Sequence, residues 1–205
     1  MEATDYACFR AMFQRQNRVQ AMLGAAAGPA DERAISGKPR KDRPMAFSFW
    51  RSRGDEPPIL VPAIGLELSV RLPPTTNRGA MTVIETVNAP GYGPPRHRHP
   101  ETELFRVMEG RYLYEIDGRR FFADAGDLVS VPGGASHGFV NVTDRPARQL
   151  IMILPGLDAE RFFTELGEIM QHGVPDRARL NEFGRRWNME FLGPPVNAGD
   201  GPTEP

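Results

Sequence analysis

Between Ile59 and Leu154 the chain is a succession of short β-forming segments with no helical stretch between them. IGLELSVRL, MTVIETV, ELFRVM, RYLYEI, RRFFA, DLVSV, HGFVNV and RQLIMIL are rich in β-branched and aromatic residues, and turn residues separate them. The 21 glycines and 20 prolines of the 205 residues fit a body made of many turns. Met108–Arg111 and Ile116–Arg119 each centre on a residue followed by glycine and read as tight hairpins. Regular short strands without crossover helices predict a mainly β, antiparallel sandwich or barrel, here assigned to residues 45–156.

The flanks have a different character. Residues 5–23 place Tyr6, Phe9, Phe13, Val19 and Leu23 at amphipathic-helix spacing. GAAAGPADERAISGKPRKDRP follows without periodicity and reads as a linker. Residues 1–44 are therefore an N-terminal helical extension, either dispensable or a helix that packs on a partner subunit. Residues 157–192 carry two helix patterns. Asp158 caps one with Phe162, Phe163, Leu166, Ile169 and Met170 on one face, and Asp176 caps the other with Leu180, Phe183 and Trp187. These faces suit packing on the barrel or on a second copy of the chain. Residues 193–205, rich in proline and glycine, read as a loose tail.

Bulk composition excludes some function classes. Lys+Arg 25 against Asp+Glu 26 leaves a net charge of -1, so no basic footprint for nucleic acid or an anionic membrane is present. Cys8 is the only cysteine, which excludes an internal disulfide and fits a reducing, cytoplasmic location. The N-terminus has no apolar signal-peptide run, and the longest apolar stretch, Leu150 to Leu157, is broken by Pro155 and Gly156.

The chain has only 4 histidines, and two of them, His97 and His99, stand one residue apart. In a strand they face the same way, at a separation that lets two imidazoles meet one metal ion. Glu103 has the same parity, as does the competing carboxylate Glu101, and His137 offers a third imidazole. Three nitrogens and a carboxylate oxygen suit one divalent transition metal: Fe, Mn, Ni, Co, Cu or Zn. Such a ligand set leaves coordination positions open for water, substrate or dioxygen. His172 ends a helix pattern and reads as a cap, and Arg96 and Arg98 read as exposed.

At these residues the chain resembles the cupins. Their first motif, G, five residues, H-x-H, three or four residues, E, six residues, G, is met by Gly91, His97, His99, Glu103 and Gly110. The second, G, five residues, P-x-G, two residues, H, three residues, N, is met by Gly126, Pro132, Gly134, His137 and Asn141. The resemblance implies an antiparallel double-stranded β-helix, or jelly-roll barrel. It also implies that His97, His99, Glu103 and His137 hold the metal, with motif spacing favouring Glu103 over Glu101. Asn141 becomes a second-shell partner or a turn anchor. GPPRHRHPETELFRVMEGRYLYEIDGRR, PGLDAERFFTELGE and MEFLGPP are similar to single-domain cupins described as quercetin-dioxygenase-like. That similarity implies a dioxygenase acting on a small aromatic or enolic substrate. The reference reaction is flavonol ring opening by both atoms of dioxygen with loss of carbon monoxide, and a homodimer is the family habit.

If Glu103 points inward, so do Phe105 and Val107, and across a hairpin at Glu109-Gly110 Phe105 faces Tyr114. Phe105, Tyr112, Tyr114 and Phe139 are then expected to line a substrate pocket around the metal, or simply to fill the barrel core. Glu103 is the candidate general base. Two other functions use the same residues: a non-oxidative isomerase, decarboxylase or lyase, and a non-enzymatic small-molecule-binding cupin.

Overall fold

The computed structural model describes residues 49–203. The expected helix and linker of residues 1–44 lie outside the described residues. Two antiparallel sheets face each other. One has the order β1 (Ile59–Val61), β2 (Leu66–Leu72), β3 (Thr82–Asn88), β10 (Ala147–Leu154), β5 (Thr102–Glu109), β8 (Leu128–Val131). The other has the order β11 (Glu190–Pro195), β4 (Pro95–Arg98), β9 (His137–Asn141), β6 (Arg111–Ile116), β7 (Arg119–Asp124). This is the expected jelly roll. Each of the eight β-forming segments of the sequence becomes a strand.

Side-chain alternation turns the strands into walls of a core. In β10, Ala147, Gln149, Ile151 and Ile153 are buried and the residues between them are partly exposed. Opposite them in register stand Asn88, Thr86, Ile84 and Thr82 of β3, all buried. One side of β10 thus faces a shared interior with β3, and Val107, Phe105 and Glu103 of β5 meet it from the other flank.

One expected hairpin forms and the other does not. Ile116 pairs with Arg119 across a two-residue turn in which Asp117 (φ 47°) and Gly118 (φ 80°) are both left-handed, as a type I′ turn requires. At Glu109-Gly110 the chain instead leaves one sheet and enters the other, so β5 and β6 are not paired. Gly110, at φ 85°, lets the backbone pass against Ala147, where a Cβ would come within 2.6 Å of the alanine methyl. Phe105 and Tyr114 still meet, edge-on with ring centres 5.5 Å apart, but across the barrel interior.

Helix α1 (Ala159–Ile169) begins where Asp158 accepts a hydrogen bond from the Arg161 amide at 3.3 Å, and Asp176 does the same at 2.9 Å for α2 (Arg177–Gly184). Phe162, Leu166 and Met170 of the first pattern and Leu180 and Phe183 of the second are buried. Phe162 gathers Phe163, Phe183 and Trp187 around it at ring distances of 4.9, 5.4 and 5.3 Å. Residues beyond Gly193, expected to be loose, are fastened to the body. β11 continues to Pro195 along β4, Arg120 pairs with Asp200 at 2.8 Å, and Thr203 exchanges hydrogen bonds with the Arg120 backbone on the edge of β7. Among the described residues no helix is long and apolar enough to cross a membrane.

Candidate metal centre

His97 on β4 is the cross-strand partner of His137, the first residue of β9. His99 follows directly after β4, and Glu103 enters from β5 in the opposite sheet. All four side chains are buried. The three imidazole centroids lie 4.4 to 5.5 Å apart, and one ring nitrogen from each falls within 4.8 Å of the others.

Hydrogen bonding fixes which nitrogens converge. His97 Nδ1 is 2.8 Å from the Pro95 carbonyl and His137 Nδ1 is 3.0 Å from the Ala135 carbonyl. A carbonyl only accepts, so each Nδ1 carries the proton and each neutral ring keeps its lone pair on Nε2. For His99 the partner on that side is the Glu101 carboxylate, 3.1 Å from Nδ1 but off hydrogen-bond alignment. Glu101, the competing ligand in the sequence, therefore stands on the Nδ1 side of His99, away from Nε2, without an aligned hydrogen bond to the ring. Glu103 Oε2 lies 3.1 Å from His137 Nε2 and 3.5 Å from His99 Nε2.

This donor set fits a metal ion. A lone pair on His137 Nε2 facing a carboxylate oxygen at 3.1 Å needs a positive charge between or on them. Without an ion, a proton fills that need. Burial alone would raise the Glu103 carboxyl, but hydrogen bonds from His137 and His99 hold it far below the usual carboxylate range. Burial lowers His97 to about 3, and the neighbouring His137 and His99 add to the effect, so this ring is held neutral. His99 moves the other way: burial works against its cation, but Glu103 and Glu101 outweigh it and raise the ring above 6.5. His97, His99 and His137 would supply three nitrogens to an ion and Glu103 an oxygen.

Beside the four residues a cavity opens between the sheets, with about 80 Å³ reachable by the centre of a water molecule. At roughly 10–15 Å³ per water, that holds about half a dozen waters or a small organic molecule. Phe105 and Phe139 line it, together with Ile84, Ile151 and Ile153 of the sheet and Phe162, Phe163, Leu166 and Trp187 from the C-terminal segment. No arginine or lysine lines it among the described residues. Arg96 and Arg98 point away, pairing with Glu115 at 2.8 Å and with Glu190.

Two expected pocket residues are elsewhere. Tyr112 and Tyr114 stand behind Phe105 and Phe139 and do not line the cavity. Their hydroxyls donate to Asn88 Oδ1 at 3.1 Å and Gln149 Oε1 at 2.5 Å, and burial lifts both phenols well above their ordinary range. Asn141 is a turn anchor and not a partner of the metal ligands. Its amide donates to the Asn88 and Arg145 carbonyls, and its oxygen accepts from the Thr143 backbone and hydroxyl. The motif residues around them shape turns: Gly91, Gly110, Gly126 and Gly134 all have positive φ, and the Pro132 carbonyl accepts from the Ala135 amide. The sequence reading missed Thr86, Asn88 and the helix residues in the cavity wall. The first two were detectable as polar residues in the buried phase of β3.

One family model and several solved structures are similar to part of the chain. The family model described as "Cupin domain" matches residues 84–153. Three similar solved structures are an RmlC-like cupin from Shewanella frigidimarina, a predicted oxalate decarboxylase from Thermotoga maritima and the Cnp3 cupin domain of Schizosaccharomyces pombe. The first is 20% identical with TM-score 0.48, over 55% of this chain and 96% of that one. The second is 22% identical with TM-score 0.42, over 44% and 80%. The third is 12% identical with TM-score 0.41, over 44% of this chain and 64% of that domain. No curated protein sequence matches the chain.

Proposed function

Because the chain carries a cupin domain, we propose that it is a metal-dependent enzyme, and that its reaction is dioxygenation of a small aromatic or enolic substrate, with flavonol ring opening as the reference. The observation that carries this reading is that one ring nitrogen each of His97, His99 and His137 lies within 4.8 Å of the others, with the Glu103 carboxylate 3.1 and 3.5 Å from two of these rings, at the wall of an apolar cavity. A divalent ion held there supplies Lewis acidity and, if redox-active, electron transfer. The protein residues do the rest. The Pro95 and Ala135 carbonyls orient the His97 and His137 rings. Phe105 and Phe139 offer flat apolar surfaces to a planar substrate and exclude water. Glu103, whose carboxylate oxygen lies beside His99 and His137, accepts the proton of an enol or catechol hydroxyl brought within hydrogen-bond reach.

The test is oxygen uptake by protein loaded anaerobically with Fe(II), Mn(II), Co(II) or Ni(II), offered a flavonol, catechols and diketones. Metal-dependent uptake that vanishes in Glu103→Ala is expected. Protein that holds a metal yet consumes no oxygen with any of them would overturn the dioxygenase. The same ligands and base would then serve a non-oxidative isomerase, decarboxylase or lyase, or a binding protein.

A further inference from the structure

Away from the histidines the barrel interior holds a second polar feature that the metal chemistry does not use. Gln149 of β10 and Thr86 of β3 are directly paired across the two strands, both inward-facing, 0% and 2% exposed. Side chains so paired have Cβ atoms about 5 Å apart. Among the described residues, Gln149 Nε2 and Thr86 Oγ1 have no hydrogen-bond partner. Tyr114 donates its hydroxyl hydrogen to Gln149 Oε1. Buried donors without an acceptor are strongly disfavoured, and each such group calls for an explanation.

Thr86 lines the cavity together with its neighbour Asn88. Four residues along β10 separate Gln149 from Ile153, the strand partner of Glu103, so the pair sits about 13 Å along the barrel from the level of that carboxylate. Between the two levels lie Phe105, Ile151 and Ile84. Gln149 itself does not line the cavity; the polar groups on this part of its wall are Thr86 and Asn88, neither of them charged.

We propose that the Thr86 hydroxyl, buried, unpartnered and on the cavity wall, is a neutral hydrogen-bonding subsite that selects substrates carrying a carbonyl or hydroxyl oxygen at the end remote from the reacting group. This inference deepens the proposed function and rests on the cavity being its substrate site. An anionic end group would find no counter-charge here and would face Thr86 only as a neutral dipole.

The test compares three catechols of similar length: 4-(3,4-dihydroxyphenyl)-2-butanone, 4-butylcatechol and 3-(3,4-dihydroxyphenyl)propanoate. Their binding to the full chain is measured by calorimetry, metal-free and loaded with redox-inactive Zn(II). The ratio of ketone to butyl affinity is expected to fall roughly three- to tenfold in Thr86→Val, the range of one hydrogen bond. Thr86→Ser is expected to keep the ratio, which separates loss of the hydroxyl from loss of shape. The propanoate is expected to bind most weakly of the three. An unchanged ratio in Thr86→Val overturns the subsite while leaving the metal centre intact. A ratio that falls in metal-free protein when Zn(II) is not taken up upholds the subsite and overturns the metal-dependent function instead. Absence of ketone binding in both forms overturns the subsite.

Discussion

Replacing Tyr114 with phenylalanine removes one oxygen atom, and the structure fixes what that costs. The hydroxyl is the only hydrogen-bond partner of the Gln149 side chain among the described residues, and both residues are at most 1% exposed. Without it the whole amide is buried and unpaired, a penalty of about 1–3 kcal/mol. For a body of this size each kcal/mol lowers Tm by about 2–4 °C, so a loss of roughly 2–12 °C is expected. Gln149→Met alone is also destabilising, because it strands the tyrosine hydroxyl. The double variant has no orphan at either position and is expected to cost about 1–2 kcal/mol less than the sum of the singles. The assay is denaturant unfolding of metal-free protein, followed by tryptophan fluorescence, with stability read from midpoints at constant slope. A Tyr114→Phe protein within about 0.5 kcal/mol of the parent, or strictly additive singles, would refute the reasoning.

Other expectations concern the metal centre and the backbone around it. His99→Ala and His137→Ala should each lose most bound metal with the barrel still folded, measured by metal analysis and circular dichroism; full occupancy in both would remove the site assignment. Metal affinity should weaken on acidification, with proton competition already present above pH 6.5 because the His99 cation is favoured by Glu103 and Glu101. Glu101→Gln removes one of those raising influences, so titrations at a series of pH values should show the competition moving to lower pH. Gly93→Ala should fail to form the native sheet, since a Cβ there would lie 1.8 Å from the Phe139 carbonyl oxygen, whereas Gly118→Ala, with open space at φ 80°, should cost only about 1 kcal/mol; thermal unfolding separates the two. A chain starting at Met45 should bind metal as the full chain does, and its purification without metal under loading conditions would contradict this.

Strand identity was legible because β segments alternate and are bounded by glycine and proline, and the histidine spacing was legible because parity alone puts His97 and His99 on one side. What escaped was long-range. Asp117-Gly118, where the chain turns back, has the aspartate that tolerates the left-handed φ of a two-residue turn, whereas Glu109-Gly110, where the chain changes sheets, does not; where the chain goes after Gly110 is not written locally. The two tyrosines have the parity of pocket residues, but the rings of Phe105 and Phe139 come between them and the cavity. PRHR and EFLGPP are too short and too proline-rich to announce strands, yet they pair with each other. Helix caps at Asp158 and Asp176 were legible because capping is local. That the helices close a cavity was not, since it depends on where the barrel opens.

The pairing of β11 with β4 also bears on synthesis. Phe191 lies opposite His97 and Glu190 opposite Arg98, 92 positions earlier. At about 5–20 residues per second, a ribosome needs roughly 5–20 s to deliver the second strand after the first. Throughout that interval the outer edge of the histidine strand is bare, and the ring that Phe191 later sets 6.1 Å from His97 is missing. His97 and His99 therefore leave the ribosome long before β11, the segment that later covers that edge.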